Sequence, residues 1–146
     1  MSKGDTFEND LIKLIFNGTP IAGIADNATS SPLASLYVSL HTADPNLTPE
    51  TGTQSTSEIG YTGYARVAVA RNGTGWVASG DHVNPAAPIT FGQNTGVPAG
   101  TVSHFAVGTA VSGTGKLLYS GTVLPNIVVG TNVTPQLTVA SQISED

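Results

Sequence analysis

The chain has no cysteine, so neither a disulfide nor a thiolate-held metal contributes to its fold. Charge is scarce as well: 10% of the 146 residues are Asp, Glu, Lys or Arg, against about 25% in an average soluble domain. Five basic residues against ten acidic ones leave a net charge of −5. That balance repels phosphate backbones and offers little counterion release, so nucleic acid is not an expected partner. No window approaches the roughly 18 apolar residues of a membrane span, and the first residues lack the apolar stretch of a secretory signal. No membrane association is expected, and the chain is expected to be made in the cytoplasm. Aromatic residues are 6%, with a single tryptophan, Trp76.

Glycine (17), proline (9), serine and threonine fill the polar positions instead, a composition of short strands and many turns. The pattern is clearest between Ser35 and Arg71. Leu36, Val38 and Leu40 recur at every second residue, the period of a strand with one face on a core, and Asp44-Pro45 stops it. Ala65, Val67 and Val69 repeat the alternation, so the two segments form a hairpin or Greek-key pair. In this phase His41 points away from the core face. Further short strands are expected at Gly75–Ser79, Pro88–Phe91, Thr101–Thr109, Lys116–Val123, Ile127–Val129 and Gln136–Ala140, divided by turns such as Asn72-Gly73 and Ser112–Gly115. The expected class is mainly β: a single domain over residues 1–146, an antiparallel β-sandwich of jelly-roll type, with residues 141–146 as a flexible tail.

One amphipathic helix interrupts the β pattern, in an N-terminal helical segment within residues 1–20. Asp5 or Thr6 caps it with Glu8 close behind, Phe7, Leu11, Leu14 and Ile15 share a face, and Asn17-Gly18 and Pro20 end it. Such a helix either covers one end of a sheet or docks on a neighbour. The stretch Pro20–Ala34 reads as loop, and Asp44–Glu58 as a long exposed loop with almost no apolar anchor. Loops of that length in compact domains tend to be functional. The candidate partner-binding residues are therefore Phe7, Leu11 and Ile15 on the helix and Asp44, Asn46, Glu50 and Glu58 on the loop.

No constellation calls for catalysis, a cofactor or a metal. His41, His82 and His104 lie far apart and lack zinc-ligand spacing. Asp44, Asn46, Thr48 and Glu50 alternate like a calcium loop, but Pro49 stands where glycine is needed and Ser55 where the bidentate glutamate is needed. Gly108–Gly113 with Lys116 has part of the spacing of a phosphate-binding loop, yet a strand follows it rather than a helix. No Gly-x-Ser-x-Gly elbow occurs. The Asn-x-Thr triplets at Asn17, Asn27, Asn46, Asn72 and Asn132 read as turns. Trp76 with Tyr61 and Tyr64 would supply a glycan-binding face if exposed; the alternative places Trp76 in the core.

Five blocks resemble a family of small tailed-bacteriophage virion proteins that carry a tail-fibre-like label, some of which look like capsid decoration (cement) proteins. They are Leu-Ile-Phe-Asn at 14–17, Leu-Tyr-Val-Ser-Leu-His-Thr-Ala-Asp-Pro at 36–45, Tyr-Thr-Gly-Tyr-Ala-Arg-Val-Ala-Val-Ala-Arg at 61–71, His-Phe-Ala-Val-Gly-Thr-Ala at 104–110 and Gly-Lys-Leu-Leu-Tyr-Ser-Gly at 115–121. The resemblance implies a non-enzymatic structural protein and brings no catalytic residue with it. It implies a decoration protein on the capsid exterior of the virion, binding the major capsid protein as a homotrimer and stabilising contacts between capsid subunits. The alternative is a tail-fibre or tail-tip module that binds a host receptor or glycan. An enzyme acting on cell-wall polymer ranks third.

Overall fold

The computed structural model describes residues 5–21, 32–46 and 51–145, the side chains of Asp5 and Phe7 excepted. Its elements are α1 (Asp5–Asn17), β1 (Ser35–His41), β2 (Val67–Ala70), β3 (Trp76–Ser79), β4 (His82–Pro85), β5 (Ile89–Thr90), β6 (Gly100–Gly108), β7 (Leu117–Val129), β8 (Gln136–Leu137) and β9 (Ile143–Ser144). The chain is mainly β with one helix. The pairs β1–β6, β6–β7, β3–β4, β4–β9 and β5–β8 are all antiparallel, with one N-terminal helix, as the alternating pattern required.

Contacts group the chain into two compact units. The first comprises Met1–Ser35, Val69–Pro88 and Thr138–Asp146. Its sheet has the order β3-β4-β9, and α1 packs on β3 and β4. Ile12 and Phe16 are fully buried, one helical turn apart on one face. The Phe16 ring meets Trp76 edge-on at 4.8 Å between centroids. The helix ends where Gly18 takes φ +67°, a left-handed conformation that glycine adopts without strain. No basic residue lies in the last turn of α1. Arg71, from the turn after β2, fills that role: its guanidinium donates to the carbonyls of Leu14 and Ile15, where a positive charge suits the helix dipole.

The second unit comprises Leu36–Ala68 and Ile89–Leu137. The four-stranded sheet has the order β2-β1-β6-β7, and β5 and β8 form a separate ribbon. Val38, Leu40, Val102, Ala106, Val107 and Val129 are fully buried and make its core. β6 and β7 pair from Gly100↔Val129 to Gly108↔Leu117, but the ladder slips between Val102 and His104. There Ser103 alone stands opposite Val123–Asn126, so this part of β7 bulges out of the sheet. The two strands expected at 116–123 and 127–129 are thus one strand with a bulge between them.

Three expectations are corrected. His41 is not directed to the surface: it is fully buried, and so is Ser39. Strand β1 is covered on both faces because the segment after it folds back, with Thr42 N–H donating to Ser57 O and Ile59 N–H to Leu40 O, each at 2.9 Å. The Asp44–Glu58 loop, expected to be exposed, has Gln54 fully buried in its described part. Gln54 is tolerated inside because both ends of its amide are satisfied: Nε2 donates to Tyr37 O (3.2 Å) and Oε1 accepts from Ala110 N–H (2.8 Å). Lastly, residues 141–146 are not simply a frayed tail. Ile143 pairs with Val83 and is buried, because the sheet offers β9 an edge and a pocket.

Candidate assembly surface

Among the predicted contact residues, Glu58 has the most defined environment. Its carboxylate accepts two parallel hydrogen bonds from Arg66, Nε to Oε1 at 2.8 Å and Nη2 to Oε2 at 2.7 Å. Arg66 also donates to Ala110 O (2.9 Å) and Gly113 O (2.7 Å), tying the segment before β2 to the turn between β6 and β7. The Tyr64 hydroxyl donates to Glu58 Oε1 (2.8 Å) and accepts from Leu40 N–H (3.1 Å). Burial chiefly raises the Tyr64 pKa far above its ordinary value, with the Glu58 carboxylate adding to the rise. The hydrogen bond to Glu58 chiefly raises that of Arg66. Fork-to-fork geometry and a side chain only 16% exposed give Glu58 an internal structural role.

The other predicted residues are more dispersed. Leu11 and Ile15 are half-buried, one step around the helix from Ile12 and Phe16. Asp44 Oδ1 accepts from Asn46 N–H (2.9 Å) and Ser120 Oγ (3.1 Å), so the carboxylate closes a turn and holds it to β7. The Phe7 side chain and Glu50 lie outside the described residues, as do Thr48 and most of Pro20–Ala34. Helix and loop residues belong to different units.

The aromatic and histidine candidates have internal roles. Trp76 is 1% exposed, and its Nε1–H has no hydrogen-bond partner, so it serves as packing volume rather than as a sugar platform. Tyr64 stacks on Phe91 at 6.2 Å and 8°, and Tyr61 lies 5.2 Å from Tyr64 with its hydroxyl donating to Gly92 O. His41 accepts from or donates to Ser39 Oγ through Nε2 and meets Thr56 O through Nδ1, both at 2.8 Å. Burial is the largest cause holding its pKa below the ordinary value. His82 pairs with Asp81 and His104 with Ser103 Oγ. No group of three or more His, Cys, Asp or Glu able to hold a metal occurs among the described residues.

Several large apolar side chains of the second unit reach solvent. Leu124 is 84% exposed, Val97 80%, Val128 69% and Val111 63%. Between Asp81 and Glu145 the only formally charged side chain is Lys116, whereas residues 1–81 hold eight of the ten acids and four of the five bases. Sequence reasoning noted the low overall charge but missed its uneven distribution, although the distribution is legible in the sequence. The exposure of these particular valines and leucine is not legible there, since the same residue types fill the core.

The described residues thus form a charge-poor, antiparallel β protein with several apolar side chains open to solvent. The match to known families agrees: a family model described as "Podophage GP4 fiber I protein gp80" covers residues 2–141, and the chain belongs to that family. It is a tailed-phage virion protein of a family with a fibre label. No curated protein sequence matches the chain.

Proposed function

We propose that the chain is a non-enzymatic structural protein of the particle exterior, a fibre-type subunit held by protein–protein contacts. The observation that carries this reading is the charge-poor stretch of residues 82–144, in which Lys116 is the one charged side chain and Val97, Leu124 and Val128 are open to solvent, on a chain that belongs to a phage fibre family. Exposed apolar side chains that gather into a patch mark an interaction site. Immunogold labelling of purified particles with antibody to this chain tests it. Label on external appendages is expected; unlabelled particles would sink the reading.

The second reading is capsid decoration, in which a homotrimer binds the major capsid protein across subunit junctions. The internally braced second unit favours it, because Arg66, Gln54 and Asp44 clamp its loops into a rigid body suited to bridging fixed positions. Label spread evenly over the shell would support it. Leu11 and Ile15 remain contact candidates in either reading. Deleting residues 1–16 would remove Ile12 and Phe16 from a core, so Leu11→Asp and Ile15→Asp are the cleaner probes of particle binding.

A further inference from the structure

We infer that Asn72 is a self-modification site: its side-chain amide is displaced by the main-chain nitrogen of Gly73, which leaves aspartate or isoaspartate at this position. The inference goes beyond the virion reading and does not depend on it.

The chain has two Asn-Gly pairs, Asn17-Gly18 and Asn72-Gly73, the sequence in which the following nitrogen is least hindered in reaching the side-chain carbonyl. The structure separates them. Ring closure needs the peptide after the asparagine to turn until its nitrogen meets Cγ. At Asn17 that rotation would undo the end of α1, where Gly18 is held at φ +67°, Thr19 N–H donates to Lys13 O (3.1 Å) and Arg71 holds the Leu14 and Ile15 carbonyls. Asn17 Oδ1 is itself buried.

Asn72 lies in the turn between β2 and β3, and Asn72, Gly73 and Thr74 are all exposed. Thr74 donates to Asn72 Oδ1 from its N–H (2.9 Å) and its Oγ1 (2.6 Å). Gly73 N lies within the ring that the first of these bonds closes, so the side chain is already folded over the atom that attacks it. A Cβ at Gly73 would meet nothing within 4 Å, and no described residue accepts from Gly73 N–H. The peptide is held on its carbonyl side, where Asn72 O accepts from Gly75 N–H and Trp76 N–H, both at 3.0 Å. Releasing two hydrogen bonds in an exposed turn slows the reaction about tenfold to a hundredfold against an unfolded chain, without stopping it.

The atoms balance with water as the only co-reactant. Base removes the Gly73 N–H proton, the nitrogen attacks Asn72 Cγ, and ammonia leaves with a proton as a cyclic succinimide closes. Water then breaks one of the two carbonyl–nitrogen bonds of that ring. Breaking the bond at Cγ leaves aspartate; breaking the bond at the main-chain carbonyl leaves isoaspartate. In isoaspartate the main chain is one carbon longer, and the carbonyl that received Gly75 and Trp76 becomes a free carboxylate. Both flanks of this turn seat α1, Arg71 through its last carbonyls and Trp76 through Phe16. The modification adds one negative charge to a chain of net −5 and loosens that seat.

Peptide mapping of the full-length protein tests this, after incubation at mildly alkaline pH and digestion with pepsin in acid. The peptide holding Asn72 should gain about 1 Da, faster as pH rises, and should accept a methyl label from an isoaspartyl methyltransferase. The peptide holding Asn17 should stay unchanged. In urea both should react, Asn72 about tenfold to a hundredfold faster than in the folded protein. Asn72→Gln, whose longer side chain closes a less favoured ring, should lose the label. Amides in the second half of α1 should exchange faster in the labelled fraction than in Asn72→Asp, which carries the same charge without the extra carbon. Folded protein in which Asn72 stays intact, or in which Asn17 reacts as fast, would overturn the inference. Equal exchange in the labelled fraction and in Asn72→Asp would overturn the loosening of α1.

Discussion

Glu58 and Arg66 meet through two parallel hydrogen bonds of 2.8 and 2.7 Å, with the guanidinium side chain only 2% exposed. The pair lies eight residues apart in sequence, yet Arg66 also reaches the carbonyls of Ala110 and Gly113. One side chain therefore joins the segment before β2 to the β6–β7 turn. Arg66→Ala leaves Glu58 without its charged partner, with Tyr64 as a remaining donor, and strips two carbonyls of theirs; it should cost about 3–5 kcal/mol in urea unfolding. Arg66→Lys should recover only part of this, because a single ammonium cannot reproduce the fork. A loss below about 1 kcal/mol for Arg66→Ala would show that the pair is not structural.

Arg71 does for the first unit what Arg66 does for the second. Its guanidinium serves the last carbonyls of α1, which has no basic residue in its own final turn. Arg71→Ala should destabilise the helix by about 1–3 kcal/mol. Hydrogen exchange should show it as faster exchange in the second half of α1, while the amides of β6 and β7 stay protected.

His41 makes stability depend on pH. Burial lowers its pKa from the ordinary 6.5, the Arg66 and His104 charges act in the same direction, and the Thr56 carbonyl and Glu58 oppose them. The folded protein favours the neutral ring, so below pH 6.5 the unfolded chain takes up the proton first. Stability contributed by this site is fully present above pH 6.5 and is lost as pH falls toward the lower folded pKa. The melting temperature should fall between pH 7.5 and pH 5.5, and His41→Gln should flatten that part of the profile. An unchanged slope in the variant would assign the loss to other groups.

Gly108 and Gly115 are required by the approach of Gln54 rather than by a turn. A Cβ on Gly108 would lie 2.1 Å from Gln54 Cδ, and one on Gly115 would lie 2.2 Å from Gln54 Oε1. The amide cannot simply swing away, since both its ends are bonded inside the fold. Gly108→Ala should cost about 1–3 kcal/mol. Combining it with Gln54→Ala should cost less than the sum of the two single changes, because the clash disappears with the amide. Strict additivity in chemical denaturation would contradict the packing described.

Local periodicity made much of this fold legible. The alternation of Leu36, Val38 and Leu40 located β1, and Asn17-Gly18 located the end of α1 within a residue. Periodicity is blind, however, to what covers the second face of a strand. His41 and Ser39 are polar and in the solvent phase, yet they are buried because Gln54, Thr56 and Glu58 return over them. Polar loop residues that satisfy each other in pairs look the same in sequence as polar loop residues in water. The helix shows a finer failure: Phe7, Leu11, Leu14 and Ile15 formed a plausible apolar face, but the sheet selects Ile12 and Phe16, a rotation of one position that composition cannot resolve. Strand β4 was missed because His82-Val-Asn-Pro85 alternates over too few residues and ends in proline. The exposed apolar residues were hidden for another reason: Leu124 and Val128 are the residue types of a core, and nothing local shows that Leu124 sits in the bulge opposite Ser103 or that Val128 falls on the open side of the ladder.

A cryo-electron-microscopy reconstruction of the intact particle tests the central claim most directly. The account predicts external density that fits the two described units. Particles that carry no such density would contradict it.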